Sequence, residues 1–208
     1  MPSRIAAAAF AILTPTVLAV SAPAQADREA ANYGHVITDT WGTCYARSVP
    51  SEAYGNGGRT DIYRIGSLDE PDILVASFDF FSQQLFLDCQ VADGEGGYDV
   101  SVVALGPWPR GSAPNHETVA LAMFYGSDEI ARYSTKDIAG DRPGAVSCTI
   151  SHYQVIDRVK GFGRDLDGNE VIILTTVDGQ IMSFDLITGA LLHTEPGLAP
   201  GPGGGECP

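Results

Sequence analysis

The residues best spaced to do chemistry are Asp165, Asp167 and Asn169, which alternate along the segment Asp165-Leu166-Asp167-Gly168-Asn169-Glu170. Alternate carboxylate and amide oxygens around a glycine turn can wrap a hard cation, so these three are the candidate ligands of a calcium ion. The segment is not an EF-hand. That loop needs its glycine at the sixth position and a glutamate at the twelfth, whereas here glycine is fourth and the twelfth residue is Thr176. The competing reading is an acidic turn joining two strands.

Other catalytic signatures are missing. No serine lies on a G-x-S-x-G elbow. His116-Glu117 is not followed by x-x-His, and Gly161-Phe162-Gly163 lacks the third glycine of a dinucleotide fingerprint. Cys148 and His152 invite a nucleophile-base reading, but four residues of extended chain hold them roughly 13 Å apart. His35, His116, His152 and His193 are scattered, and no metal spacing links them. Trp41, Tyr45 and Trp108 are the candidate binding residues, because each stands in or beside a loop-rich segment. Pro107-Trp108-Pro109 holds its indole in a stiff, extended stretch, where it either meets a sugar ring or peptide or caps the end of two sheets.

The elements that must carry these residues read as strands. Short apolar runs bounded by turn residues recur about every ten residues, and no stretch keeps a helical period for three turns. The runs are 43–47, 60–65, 73–80, 84–90, 98–105, 119–125, 129–134, 147–159, 170–177 and 180–186. They predict an all-β fold of about ten strands, an antiparallel meander closed as a β-sandwich or barrel. One short helical turn is expected near Glu29 to Ala31. A two-residue turn at Asp178-Gly179 sets Thr175 opposite Met182 and Ile173 opposite Phe184, with Val171, Ile173, Met182, Phe184 and Leu186 on the core face. A second hairpin is expected at Gly126-Ser127-Asp128.

The segment from Asp165 to Gly189 also resembles one blade of a β-propeller of the FG-GAP or quinoprotein type. In such blades a D-x-D-G loop holds calcium and Thr-Gly ends a strand pair, as Thr188-Gly189 does here. The resemblance covers 25 residues of 208 and is not repeated upstream. A propeller needs at least about four blades of some 40 residues, so the expectation remains a single sheet-built domain.

Residues 1–26 read as a cleaved signal peptide. Arg4 precedes an apolar run from Ile5 to Val20, and Ala24-Gln25-Ala26 fits the small-x-small cleavage pattern. The run is shorter than the roughly 20 residues needed to span a bilayer, so no membrane span is expected in the mature chain. Residues 27–194 form the single expected domain and 195–208 a Gly/Pro-rich tail. Cys44, Cys89, Cys148 and Cys207 are even in number and widely spaced, which fits disulfides in an oxidising compartment better than zinc. Of three connectivities, Cys44 with Cys89 and Cys148 with Cys207 is the one expected, because Cys207 sits in a tail free to travel.

A formal charge of -14, with 12 basic residues that never cluster, opposes nucleic acid and anionic lipid as partners. The expectation is a periplasmic or secreted, non-catalytic protein that binds a protein, peptide or glycan partner outside the cytoplasm, with Ca2+ in the Asp165 loop as the one candidate cofactor. A secreted hydrolase with a dispersed acid/base pair and a calcium-stabilised structural module are the alternatives.

Overall fold

A computed structural model describes residues 30–91, 98–149, 151–197 and 207. The signal segment therefore lies outside the described residues, as does Glu29. Ala30 and Ala31 stand in no helix. The described chain is all-β, as its alternating runs predict, with fourteen strands and one helix.

The strands fall into three antiparallel four-stranded meanders taken in chain order. The first comprises β1 (His35–Thr38), β2 (Cys44–Pro50), β3 (Gly58–Arg64) and β4 (Ile73–Phe78). The second comprises β5 (Leu85–Val91), β6 (Tyr98–Leu105), β7 (Val119–Tyr125) and β8 (Asp128–Ser134). After the helix α1 (Thr135–Ala139) come β9 (Ser147–Cys148) and β10 (Tyr153–Gln154), which pair only with each other. The third meander is β11 (Ile156–Arg164), β12 (Glu170–Thr176), β13 (Gln180–Asp185) and β14 (Leu191–Pro196).

The meander expected from the sequence is present, but its closure is not. The sheets stack as open layers, not as a barrel or a two-sheet sandwich, and fourteen strands replace the expected ten. Two of the extra strands, β1 and β14, are short or largely exposed edges with little apolar alternation. The others arise because the single run expected over 147–159 breaks into β9, β10 and the start of β11.

The second sheet is the middle layer, and its alternation shows it. Val100, Val102, Ala104, Ala122 and Phe124 face the first sheet, meeting Ala46, Ile62 and Phe78 in one core cluster. Val103, Leu121 and Met123, interleaved with them, face the other way onto Ile172, Leu174, Met182 and Phe184 of the third sheet. Both faces of the sheet are thus buried, and each fully buried Val, Leu or Ile contributes about 1.5–3 kcal/mol. The Cys44–Cys89 disulfide joins β2 to β5 inside the first of these cores. The second disulfide ties Cys148 to Cys207.

The β12–β13 hairpin corrects the expected register by one residue. Thr175 pairs with Ile181, Leu174 with Met182 and Ile172 with Phe184, because the loop has three residues, Val177 to Gly179. Gly179 takes φ +83, the left-handed conformation that closes a three-residue hairpin. One residue of slip flips one strand, so Ile172 and Leu174, not Ile173, join Met182 and Phe184 in the core. Val171 is buried as well, but on the opposite face of β12. The β7–β8 hairpin has the expected turn, with Tyr125 paired to Asp128 across Gly126-Ser127.

The helix starts on a capping box. Ser134 Oγ accepts from the Asp137 amide, and the Asp137 carboxylate accepts from the Ser134 amide at 2.8 Å. Ile138 and Ala139 then enter the core between the second and third sheets.

Candidate functional site

A concavity opens where the end of the second sheet meets β10 and β11. It has a volume of about 170 Å³ and is walled by Trp108, Pro109, Val119 and Tyr153, with Gln154, Asp157 and Arg158 among its polar lining. Backbone pairing holds its wall in place. Tyr153 donates its amide to the Pro109 carbonyl at 2.9 Å, Arg110 bridges to His152, and Gly111 donates to the Ser151 carbonyl. Prolines on both sides of Trp108 restrict the backbone that carries the indole.

Trp108 is 46% exposed and stands edge-on to the His152 ring at 5.9 Å. It neither caps a core nor hangs free. Beneath the wall, Tyr153 and Thr135 are fully buried and their hydroxyls hydrogen-bond at 2.8 Å, while the Thr135 Oγ1 accepts from the Asn115 amide. The cleft is therefore rigid at its base and aromatic at its rim.

The other two candidate binding residues lie elsewhere. Tyr45 is on the first sheet, where it stacks on Tyr63 at 5.1 Å and donates its hydroxyl to Asp72 at 2.9 Å. Trp41, 78% exposed, is in the turn between β1 and β2. Neither lines the Trp108 cleft. The cleft residues that sequence reasoning missed, His152 and Tyr153, carry no local signal because only the pairing with the Pro109 segment brings them to the indole.

The Asp165 loop joins β11 to β12 and folds as an acidic turn. One oxygen of Asp165 accepts from the amides of Asp167 and Asn169, and the other accepts from the Asn169 side-chain amide at 2.9 Å. These hydrogen bonds, the Asn169 side chain foremost, hold the Asp165 carboxyl below its ordinary value. The structure adds a residue absent from the motif: His193 of β14 comes to 3.8 Å from Asp165, and Asp165, Asp167 and His193 bring ligand atoms within 4.8 Å of one another. Asn169 directs its amide nitrogen, a donor, toward the carboxylate that a calcium ion would need.

Among the described residues two serine–histidine contacts occur, Ser151 Oγ with His152 Nδ1 at 3.3 Å beside the cleft and Ser134 with His116 at the start of the helix. Cys148 is consumed by its disulfide. Ser134, His116 and Asp137 are close, but Ser134 Oγ donates directly to Asp137 at 2.6 Å and His116 Nδ1 lies 3.5 Å from each. A relay needs the histidine between the other two, so this is a helix cap with an exposed histidine beside it. Asp157 is the one carboxylate among the described residues lining the cleft, and it pairs with Arg158 at 3.3 Å.

No protein-family model matches the chain, and no curated protein matches it. Among solved structures, the crystal structure of Saccharomyces cerevisiae Sqt1 is similar at a TM-score of 0.26 and 11% identity, over 78% of this chain. The match spans 61% of Sqt1, less than two thirds of its length, and so distant a likeness carries no argument about function.

Proposed function

We propose that this is an exported, non-catalytic protein of the cell envelope that holds one ring or side chain of a protein, peptide or glycan partner in the Trp108 cleft. The observation that carries the reading is a half-exposed indole, flanked by two prolines and edge-on to a histidine, at the rim of a cleft whose floor is buried and hydrogen-bonded. At about 170 Å³ the cleft is smaller than the roughly 300–1,000 Å³ of sites that enclose whole small molecules. It suits a protruding group of a larger partner. Two disulfides support an oxidising compartment, and the amino-terminal pattern supports export.

A hydrolase reading has less support. Each aspartate whose pKa is displaced among the described residues is displaced downward, whereas a general acid at neutral pH needs the opposite.

The test uses the oxidised Trp41→Phe protein, in which Trp108 is the single tryptophan reporter. Titration with cell-wall oligosaccharides and with short aromatic or basic peptides is expected to change its fluorescence saturably with one of these classes. Trp108→Ala protein, titrated by calorimetry with the same ligand, should lose that binding by at least about tenfold, since a central aromatic anchor is worth about 2 kcal/mol or more. Binding that survives Trp108→Ala undiminished would move the site away from this cleft.

A further inference from the structure

The two disulfides sit in different surroundings. Cys44 and Cys89 are 1% and 3% exposed, inside the core between the first and second sheets. Cys148 and Cys207 are both only half-buried. The residues on either side of Cys148, Ser147 and Thr149, line the Trp108 cleft. Across the strand pair, Cys148 faces Tyr153, whose buried hydroxyl meets Thr135 in the cleft floor. Cys148 Sγ also lies 3.6 Å from the carbonyl oxygen of Ser112, four residues along the chain from Trp108. The bridge thus touches both the β9–β10 pair and the segment that carries the indole. β9 and β10 have two residues each and pair only with each other, which is too little ladder to hold a hairpin by itself. Tyr153 anchors β10 in the core, whereas neither residue of β9 is fully buried.

A disulfide opens when a thiolate reaches one of its sulfurs, so access decides which of two bridges exchanges. We propose that Cys148–Cys207 is a site of thiol–disulfide exchange with a protein dithiol of the Cys-x-x-Cys class, and that its redox state sets how firmly the Trp108 cleft is held. A thiolate of the dithiol attacks one sulfur of the bridge, forms a mixed disulfide and releases the other sulfur as a thiolate, which takes up a proton. The second thiol of the dithiol then resolves the mixed disulfide. Two electrons and two protons pass from the dithiol to Cys148 and Cys207, which end as thiols, while the dithiol leaves as a disulfide. The reverse exchange restores the bridge. Cys44–Cys89 stays closed throughout, because a thiolate reaches it only when the core opens. With Cys148–Cys207 open, β9 keeps its short pairing with β10 but loses its covalent anchor, and the Trp108 segment loses the brace beside Ser112. The consequence for binding rests on the Trp108 cleft being the binding site, but every readout uses the protein without its partner, so a failed exchange and a failed ligand titration are told apart.

Stepwise reduction of the native protein with dithiothreitol, quenched with N-ethylmaleimide and mapped by peptide mass spectrometry, tests the exchange. Cys148 and Cys207 should be labelled at a dithiothreitol concentration at least about tenfold lower than Cys44 and Cys89. A thioredoxin carrying a single active-site cysteine should trap a mixed disulfide at Cys148 or Cys207. Equal labelling of the two pairs, or trapping at Cys44 or Cys89, would overturn the assignment. Acrylamide quenching of Trp41→Phe protein, where Trp108 is the single indole, tests the coupling. When Cys148–Cys207 alone is reduced, the quenching constant should rise toward about twofold, as the indole goes from 46% to nearly full exposure, and should fall back on reoxidation. The Cys148→Ser, Cys207→Ser variant should show the high constant without reductant and ignore dithiothreitol. An unchanged constant on selective reduction would refute the coupling. So would collapse of the circular dichroism spectrum at that step, which would make the bridge a condition of folding; the reduction experiment keeps its force even where the serine variant does not fold.

Discussion

Replacing Arg142 with methionine removes the guanidinium that ties the β12–β13 hairpin to the end of the helix, and keeps most of the apolar stem. Arg142 donates through Nε to Asp178 Oδ2 at 2.7 Å and through Nη2 to the Ile138 carbonyl at 2.9 Å. The Asp178 side chain is 10% exposed and that of Arg142 31%. Exposed pairs are worth about 0–1 kcal/mol, and breaking a fully buried pair costs about 3–5, so this intermediate case should cost about 2 kcal/mol. For a domain of this length that is a fall of roughly 4–8 °C in Tm. The pH dependence gives a second reading. Burial by itself would raise the Asp178 carboxyl, but the Arg142 guanidinium and the Thr176 hydroxyl together hold it below its ordinary value of 3.8. A depressed folded pKa contributes stability that is complete above the unfolded value and is lost as pH falls through the folded one. Urea unfolding of the two proteins at pH 7, 5, 3 and 2 should therefore show a constant difference at the upper two values and a shrinking one below. A difference under about 0.5 kcal/mol at pH 7, or one that stays equal at pH 2, would refute the argument.

Three further outcomes are expected. Tyr133→Phe removes a hydroxyl on β8 that donates to the Gly189 carbonyl at 2.8 Å and accepts from the Leu191 amide at 3.1 Å; urea unfolding should show a loss of about 1–2 kcal/mol. Replacing Cys44 and Cys89 together by alanine opens a loop of 45 residues and should cost about 4 kcal/mol on the chain-entropy model, read as a lower urea midpoint in the oxidised protein. Millimolar calcium should move the Tm by less than about 1 °C, because the Asp165 oxygens already accept from Asp167 and Asn169; a rise of several degrees, abolished by Asp165→Ala, would place a cation in that loop.

The sequence by itself determined the class of structure and most of its strands. Runs such as Val119 to Tyr125 are short, apolar and bounded by turn residues, and these local features survive into β7 unchanged. Cysteine spacing, with Cys207 in its Gly/Pro-rich segment, pointed to the two disulfides that the fold contains. What failed was what depends on more than a few neighbouring residues. The β12–β13 register turned on whether the loop held two residues or three, and a single extra loop residue exchanges the two faces of a strand. Both faces of β7 are apolar, Ala122 and Phe124 on one and Leu121 and Met123 on the other, which marks burial on two sides without saying what lies there.

Only the tertiary structure decided that three meanders stack as open layers, since their sequences do not repeat and nothing local records how many sheets a chain will build. The candidate site divides in the same way. Trp108 was legible because prolines flank it, and Asp165 because its loop is contiguous. His152 reaches the indole, and His193 reaches Asp165, through strand pairing and sheet packing between segments distant along the chain. Contacts of that kind are fixed by the summed burial of whole faces, and no short window of sequence contains that sum.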